Sequence, residues 1–346
     1  MRYIGSKRLL LKNIEQVISD NIEDANSFCD IFSGTTIVAR YFKKKYSVIS
    51  NDLMDFSYVL QKAFIELNRI PTFKKLKKHI NCESPIKYLN SLDGEKLEKL
   101  NTQKRFFQNN YAPTGGRMYL SDENALRIDY IRNNINDWRN ENLISNEESL
   151  YLIASLIEAI PFVSNIAGTY GAYNKWWDKR ALNKINLKEL NISSNNKDNR
   201  AYNEDGNILI KEIKGDILYI DPPYNSRQYP PNYHLLETAA LYDNPELKGV
   251  TGQRDYSAKK SVYCNKQKVS NAFEMLIKNA KFKHIILSYS NEGLMNENEI
   301  KEILCKYGSK ESYKMYEIDY RRFKSNSSKQ KKELKELMFY VRKSEC

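Results

Sequence analysis

The fold is decided by residues 27–52, which read SFCDIFSGTTIVARYFKKKYSVISND. The apolar run 27–32 predicts a buried strand, Ile37–Phe42 predicts a helix, and 46–50 predict a second strand that leads to Asp52. A tight Ser-Gly-Thr-Thr turn joins the first strand to the helix. Strand, turn, helix and strand in this order form a βαβ unit of a parallel sheet. The stretch therefore predicts an α/β fold whose ligands bind beyond the carboxyl ends of the strands.

A further buried strand is predicted over residues 217–220, and Asp221-Pro222-Pro223-Tyr224 follows it directly. The two prolines stiffen the turn and remove two N–H donors, which leaves carbonyl oxygens free to accept hydrogen bonds. Asp221 adds a carboxylate acceptor, and Tyr224 adds an aromatic face. These groups suit a planar substrate that carries an NH2 group, so the tetrapeptide is the predicted centre of the chemistry.

The α/β pattern is split by a long insert. Residues 55–190 are mostly helical in pattern, without strand alternation, and the polar stretch 191–200 closes them. Outside the insert, the further predicted elements are a first helix over 7–20, strands at 208–210, 284–289, 313–320 and 337–341, and a helix over 271–280. The sequence thus predicts a sheet interrupted by a separate helical region.

The composition indicates a basic protein of a reducing compartment. Among 346 residues there are 55 Lys and Arg against 43 Asp and Glu, a net charge of +12, which favours an anionic partner such as nucleic acid. No apolar run approaches the roughly 20 residues of a membrane span, and we expect no secretory signal and no membrane partner. Five scattered cysteines without a CxxC pair, together with three histidines, argue against both a zinc site and a disulfide framework.

The turn after the first strand points to a ligand without identifying a nucleotide class. Gly34 permits close approach of a ligand to the backbone, and Asp52 follows Asp30 by 22 residues, the spacing of a ribose-binding acid in dinucleotide folds. However, neither GxGxxG nor a GKS or GKT tripeptide is present, so neither NAD nor a P-loop nucleotide is indicated.

Together, these motifs resemble the D12 class, or alpha type, of adenine-N6 DNA methyltransferases, which use S-adenosylmethionine. Arg2–Lys7 is similar to the family's N-terminal cofactor motif, and Asp30–Thr35 to its cofactor-binding loop, although this loop has one glycine where the family pattern has two. Asp52 and Asp205 stand at the positions of the acids that contact ribose and adenine of the cofactor, and Asp221–Tyr224 matches the catalytic motif.

Three further stretches are similar to the FokI-type branch of this family: Asn225–Tyr229, Asn232–Glu237 and Gly168–Trp176. The resemblance implies an S-adenosylmethionine-dependent, Rossmann-like sheet with a mostly helical inserted target-recognition domain. On this basis, residues 1–60 and 195–346 would form a split catalytic domain, and 61–194 the inserted recognition region.

The resemblance assigns roles residue by residue. The residues with an implied catalytic role are Asp221, Pro222, Pro223 and Tyr224. Those implied to bind the cofactor are Tyr3, Lys7, Asp30, Phe32, Ser33, Gly34, Thr35, Asp52, Asp205 and Asp221. Those implied to contact DNA are Arg227, Tyr170, Tyr173 and Lys175, and for Arg227 a structural salt bridge remains an equal alternative. We expect the neighbouring pair Trp176-Trp177 to pack inside the protein, since large aromatic side chains are usually buried.

The implied reaction is sequence-specific transfer of a methyl group to N6 of an adenine flipped out of duplex DNA, with S-adenosylhomocysteine as the second product and no metal. The resemblance also implies a type II or IIS restriction-modification system in a bacterial or archaeal cytoplasm, with a companion endonuclease that acts independently.

Three alternatives stay open at this stage. Some RNA methyltransferases that modify guanine N2 carry the same tetrapeptide, but their chains are typically compact, without a large insert. Methylation of cytosine N4 in DNA is chemically close, although Ser-Pro-Pro-Tyr is more usual for it. A non-enzymatic DNA-binding protein on a decayed methyltransferase scaffold is the third, and retention of all four residues of the tetrapeptide argues against it.

Overall fold

The structure, a computed structural model, describes residues 5–92, 97–319 and 335–343. Its strands are, in chain order, β1 (Ser27–Asp30), β2 (Ser47–Asn51), β3 (Arg200–Tyr202), β4 (Lys214–Ile220), β5 (Leu247–Lys248), β6 (Gln253–Arg254), β7 (Lys281–Ser290), β8 (Lys314–Asp319) and β9 (Lys335–Arg342). Its α-helices are α1 (Leu11–Ser19), α2 (Ile37–Phe42), α3 (Asp55–Gln61), α4 (Lys74–Ile80), α5 (Pro85–Asn90), α6 (Phe106–Tyr111), α7 (Asp122–Asn140), α8 (Asn146–Ala159), α9 (Gly206–Leu209), α10 (Pro230–Leu241), α11 (Val269–Asn279) and α12 (Glu297–Tyr307).

The chain divides into two compact units. The sheet unit consists of the described residues within 7–53, 195–229 and 260–346, and the helical unit of those within 1–6, 54–194 and 230–259. Residues 230–259, which the sequence analysis joins to the catalytic part, therefore cluster with the helices. Compactness alone assigns no activity to either unit, so the division into catalytic and recognition parts stays a prediction.

The sheet unit is built on seven strands in the order β3-β2-β1-β4-β7-β9-β8. Strands β3, β2, β1, β4 and β7 run parallel, whereas β9 is antiparallel to both β7 and β8. The chain winds outward in one direction from β1 and in the other from β4, which makes the boundary between these neighbours a topological switch point. This architecture confirms the predicted α/β, Rossmann-like fold class.

Successive side chains of the central strands point to opposite faces and build two apolar cores. On one face Cys29 of β1 belongs to a buried cluster with Leu276 of α11 and Leu304 of α12. On the other face Phe28 belongs to a cluster with Ile14 of α1 and further residues of α2. Because both faces are covered by helices, only the ends of the parallel strands are left for a ligand.

In the helical unit, α3, α7, α8 and α10 pack against one another. Ser145 begins α8 with a capping box, in which its hydroxyl accepts from the Glu148 N–H while the Glu148 carboxylate accepts from the Ser145 N–H. The buried carboxylate of Glu237 on α10 accepts from the N–H groups of Asp55 and Phe56 at 2.9 Å each, and thereby caps α3. Among the described residues, no helix is long and apolar enough to span a membrane.

Most predicted elements are confirmed, and one is wrong. The helix Ile37–Phe42 matches α2 to the residue, and the strands at 217–220 and 284–289 lie within β4 and β7. The strand predicted at 208–210 is instead the end of the short helix α9, because the Asp205 carboxylate caps its first turn by accepting from the Asn207 N–H at 2.7 Å.

Candidate active site

The site lies in the sheet unit, at the carboxyl ends of β1 and β4. Asp30 is the last residue of β1 and is in register with Tyr219 of β4, two residues before Asp221. The two acids that the sequence analysis selected independently are thus brought to neighbouring strand ends at the switch point, where open α/β sheets bind their ligands.

Asp221 belongs to a buried cluster of three charged side chains. The Nζ atom of Lys7 lies 3.0 Å from Oδ1 of Asp221 and 2.8 Å from Oε1 of Glu336. The side chains of Lys7 and Glu336 are 4% and 6% exposed, and that of Asp221 is 17% exposed. Oδ2 of Asp221 receives no hydrogen bond from any residue that the structure describes, so it is available to a substrate donor.

Burial and charge set the protonation of this cluster. Burial raises the pKa of Asp221 to about 7, with the Lys7 ammonium opposing the rise and the Glu336 carboxylate adding to it. Burial acts to lower the pKa of Lys7, but the carboxylates of Asp221 and Glu336 outweigh it and hold that pKa well above its usual value. Lys7 is therefore a permanent cation, whereas Asp221 can exchange a proton near neutral pH.

The end of β7 and the loop that follows it contact Tyr224. Its backbone carbonyl accepts from the N–H of Leu294 at 3.0 Å, and its ring meets the ring of Tyr289 edge to face at 6.4 Å. A Cβ atom at Gly293 would lie 2.1 Å from the Tyr289 ring, so only glycine allows this close packing. The Lys7 ammonium lies 5.8 Å from the centre of the Tyr224 ring.

The loop after Tyr224 is tied to a neighbouring loop by a side-chain amide. Nε2 of Gln228 donates to the carbonyl of Ser261 at 3.0 Å, and Oε1 accepts from the Ser261 N–H at 2.8 Å. Arg227, one residue earlier, is exposed on this loop, and its N–H donates to the Asn225 side chain at 2.9 Å. The turn that contains Asp221–Tyr224 is thus fixed at the Gln228 side, while Arg227 faces solvent.

On the β1 side, Asp30 carries a buried carboxylate that is only partly satisfied. Oδ2 accepts from the N–H of Ala39 in α2 at 3.2 Å, whereas Oδ1 is buried without a hydrogen-bond partner among the described residues. Burial, reinforced by the nearby charge of Asp221, raises the pKa of Asp30 to about 8. An orphaned buried oxygen costs free energy in the free protein, which points to a ligand that satisfies it.

The turn after β1 is fixed by Ser50 of β2 and by Asp52, which directly follows that strand. The Ser33 hydroxyl donates to the carbonyl of Asp30 at 2.8 Å and lies 2.7 Å from the Ser50 hydroxyl. The N–H of Gly34 donates to Oδ2 of Asp52 at 2.8 Å, and Gly34 has a φ of 50°, in the left-handed region that glycine adopts without strain. The single glycine of this loop therefore stands at a position whose backbone requires one.

Asn51 joins this turn to the loop that carries Asp205. Its side-chain amide donates to the carbonyls of Ile31 and Glu204 at 3.1 and 3.0 Å and accepts from the Glu204 N–H at 3.0 Å. Phe32 packs edge to face on the buried ring of Tyr263 at 5.1 Å. The carboxylates of Asp30, Asp52 and Asp205 consequently follow one edge of the sheet beside an aromatic side chain.

This edge fits a cationic, nucleoside-containing ligand. The carboxylates and the orphaned oxygen of Asp30 suit positive charge and hydroxyl groups, and Phe32 offers an apolar contact. Tyr3, which the resemblance also assigns to the cofactor, lies outside the described residues. Within the part of the chain that is described, no group of three or more His, Cys, Asp or Glu side chains is arranged to hold a metal ion.

The side chains assigned to DNA differ in their accessibility. In the helical unit, Tyr170 is 2% exposed and shares a hydrogen bond with Ser164, whereas Tyr173 is half-buried and Lys175 is exposed. Trp176 is 72% exposed, so the expectation that it packs inside the protein is wrong. The loop that carries these residues is held by its backbone and by Asn165, which leaves the Trp176 ring outside the core.

Glu336 and Asn51 were not selected from the sequence. The only local sign at Glu336 is an acid beside the strongly apolar run Leu337–Val341, and nothing in that run indicates Lys7 as its partner. The antiparallel pairing of β9 with β7 brings it to the site. For Asn51, its place directly before Asp52 at a strand end was a usable signal.

Comparison with known proteins tests the family resemblance. A family model for the D12 class N6 adenine-specific DNA methyltransferases matches residues 3–303. The Type II methyltransferase M.FokI of Planomicrobium okeanokoites is 54% identical over 99% of this chain and 53% of its own length, and the modification methylase StsI of Streptococcus sanguinis is 45% identical over 99% of this chain and 52% of its own. The chain thus spans about half the length of these two relatives. The Type II methyltransferase M.NlaIII of Neisseria lactamica is 40% identical over 95% of this chain and 94% of its own length. These matches confirm the resemblance seen in the motifs, and the chain belongs to the D12 class of N6 adenine-specific DNA methyltransferases.

Proposed function

We propose that this chain transfers a methyl group from S-adenosylmethionine to N6 of an adenine in duplex DNA, as the modification activity of a type II restriction-modification system. The observation that carries the proposal is the Asp221-Pro222-Pro223-Tyr224 turn at the switch point, beside the buried carboxylate of Asp30. The family and its Type II relatives support the choice of adenine and DNA over the RNA and cytosine alternatives.

The chemistry follows from the free acceptors of the turn. Adenine N6 is a poor nucleophile because its lone pair is delocalised into the ring. The Oδ2 atom of Asp221 and the carbonyl of Pro222 would accept the two N6–H groups and favour a pyramidal nitrogen with its lone pair exposed. Tyr224 would stack on the flipped base and hold it in line for the transfer, where orientation supplies much of the acceleration. With a pKa of about 7, the Asp221 carboxylate is also suited to take up the proton that N6 loses.

When bound, S-adenosylmethionine supplies an electrophilic methyl group on a sulfonium and is released as S-adenosylhomocysteine. We assign its binding to Asp30, Asp52 and Asp205, to the Ser33–Thr35 turn, and to Phe32, with Tyr3 and Lys7 contributing from the N-terminal motif. Asp52 suits the ribose hydroxyls, although one of its oxygens already accepts from Gly34. No metal has a role in this scheme.

Recognition of DNA is assigned to the helical unit and to the exposed Arg227. Lys175 and Tyr173 are the accessible candidates of the inserted region, and Trp176 joins them because of its exposure. Tyr170 is buried, so we expect it to support this loop. The net charge of +12 favours phosphate contacts. We further propose a cytoplasmic location and a companion endonuclease that acts independently.

The test is methylation by the purified protein of separate pools of mixed duplex DNA and ribosomal RNA. Each pool is incubated with S-adenosylmethionine, digested to nucleosides and read by mass spectrometry. N6-methyladenine in the DNA pool alone is the expected result. Methylguanine in the RNA pool or N4-methylcytosine in DNA would replace the proposal with that activity. Binding of DNA without binding of S-adenosylmethionine would favour the decayed scaffold.

A further inference from the structure

Glu336 is buried beside the reacting centre but belongs to none of the motifs that define the site. It lies on β9 in register with Ser290 of β7, and its side chain is 6% exposed. Oε1 accepts from the Ser288 hydroxyl at 2.5 Å and lies 2.8 Å from Nζ of Lys7. The same ammonium reaches Oδ1 of Asp221 at 3.0 Å, so Glu336 contacts the catalytic turn through Lys7.

The charge balance of this cluster argues against a purely structural role. One carboxylate, that of Asp221, is enough to compensate the buried Lys7 ammonium. Glu336 adds a second buried carboxylate, and an uncompensated buried charge is costly to the fold. A glutamine at this position would have nearly the same shape and could still accept from Ser288, without the charge. The excess negative charge is therefore the property of Glu336 that calls for an explanation.

On the basis of the proposed function, we propose that Glu336 is a positioning residue, which holds Lys7 between two carboxylates so that Asp221 stays basic enough to accept the hydrogen bond, and then the proton, of the substrate amine. Without Glu336, Lys7 would act on Asp221 alone and make its carboxylate a weaker base. A weaker base accepts a weaker hydrogen bond from the N6–H group and takes up its proton less readily. The transfer step would slow while ligand binding would change little.

The electrostatic consequence has a definite sign. Among the described residues, the charged and titratable groups that interact with Asp221 or Lys7 include Glu336 on β9, Asp30 on β1 and Tyr219 on β4. Among these, Glu336 acts to raise the pKa of Asp221. Replacing it by glutamine removes that negative charge and is expected to lower the pKa of Asp221.

The experiment compares Glu336→Gln with Glu317→Gln in the full chain. Glu317 lies on the adjacent strand β8 and pairs with Lys335 at the surface, so it controls for loss of a carboxylate in this part of the sheet. The first readout is a carbon-detected NMR titration of the Asp221 carboxyl in the free protein, assigned with Asp221→Asn. The second is the single-turnover rate of methyl transfer against pH, with dissociation constants for S-adenosylmethionine and DNA.

For Glu336→Gln we expect the Asp221 midpoint to move down by about one pH unit. We expect the transfer rate to fall about 10- to 100-fold, because a weaker base takes up the N6 proton less readily and a positioned base contributes about 10²–10⁴-fold to such reactions. Both dissociation constants should stay within about threefold, and Glu317→Gln should match the wild type in every readout. An unchanged midpoint overturns the inference, even if the rate falls, because a merely structural defect would leave the titration of Asp221 in place.

The outcome is separable from that of the proposed function. If the wild type makes no N6-methyladenine, the proposed function fails, whereas the titration in the free protein still tests Glu336. If Glu336→Gln does not fold, Glu336→Asp keeps the charge but shortens the side chain by one methylene. It should then give a smaller shift in the same direction, and a midpoint equal to that of the wild type would overturn the inference.

Discussion

Replacing Asp30 by asparagine should stabilise the free protein, increasingly so as the pH rises. The Asp30 side chain is buried at the end of β1, with Oδ1 lacking a hydrogen-bond partner among the described residues. Its pKa rises from an ordinary value of 3.8 to about 8, chiefly because of burial and then because of the charge of Asp221. Between these pH values, the folded chain must bind a proton at Asp30 that the unfolded chain releases.

The magnitude follows from proton linkage. A carboxyl whose pKa is raised by folding contributes stability that is complete below pH 3.8 and is lost as the pH rises to about 8. Within that window, the free energy of unfolding falls by about 1.4 kcal/mol per pH unit through this group. From pH 5.5 to 7.5, the wild type should therefore lose about 2.5 kcal/mol relative to Asp30→Asn, which carries no titrating group there.

The assay is urea unfolding of both proteins at pH 5.5 and 7.5, followed by circular dichroism. Tryptophan fluorescence would miss the sheet unit, because all three tryptophans, Trp138, Trp176 and Trp177, belong to the helical unit. Asp24→Asn, at an exposed position of the sheet unit, is the matched control and should show no such dependence. A difference between wild type and Asp30→Asn that is the same at both pH values would refute the reasoning. The variant should also lose affinity for S-adenosylmethionine, as measured by calorimetry.

Three further predictions concern the Asp221–Tyr224 turn and the loop that supports it. Asp221→Ala should abolish methyl transfer but leave duplex binding within about threefold, since phosphate contacts dominate affinity. A gel-shift assay measures the binding and a nucleoside digest measures the methylation. Residual methylation would contradict the proposed role of Asp221. Tyr224→Ala should reduce the transfer rate by at least 10-fold more than Tyr224→Phe does. The reason is that stacking on a base, worth about 1–3 kcal/mol, needs the ring and not the hydroxyl. Equal transfer rates for the two variants would count against stacking. Gly293→Ala should destabilise the protein by about 1–3 kcal/mol and slow transfer, because the new Cβ would lie 2.1 Å from the Tyr289 ring. In melting experiments Gly168→Ala, whose Cβ meets nothing within 4 Å, should be close to neutral.

The sheet could be predicted where the strands are buried and the turns carry their own chemistry. The helix Ile37–Phe42 was found to the residue because a Ser-Gly-Thr-Thr turn precedes it. The apolar run 208–210 was misassigned because a short apolar run does not distinguish a strand from a buried helical turn. Strand β3 was missed, since its three residues, Arg200–Tyr202, form no apolar run and pair with β2 only in the folded chain. The hairpin of β5 and β6 was also not predicted, because its strands have two residues each and form no apolar run.

In the candidate site, too, local sequence features could be predicted and long-range contacts could not. Residues within local motifs, such as Asp30, Asp52 and Asp221, could be predicted from the sequence because the residues next to them indicate the end of a strand and the turn that follows it. The partnership of Lys7 with Glu336 could not, because it joins residues 329 positions apart through pairing of β7 with β9. Local sequence thus identifies groups that touch a ligand, whereas long-range strand pairing decides which groups tune them.

The buried acids at this edge of the sheet work against the stability of the free protein. Asp30 and Asp221 both have their pKa raised by burial, and the carboxylate of Glu336 adds negative charge beside them. A fold selected for stability alone would carry neutral side chains at these positions. A cationic ligand bound at this edge would favour the ionised carboxylates and stabilise the folded state by linkage. The unfavourable electrostatics of Asp30 and Asp221 in the free site therefore argue that these two acids serve a positively charged ligand, and they predict that its binding affinity increases as the pH rises through about 7 to 8.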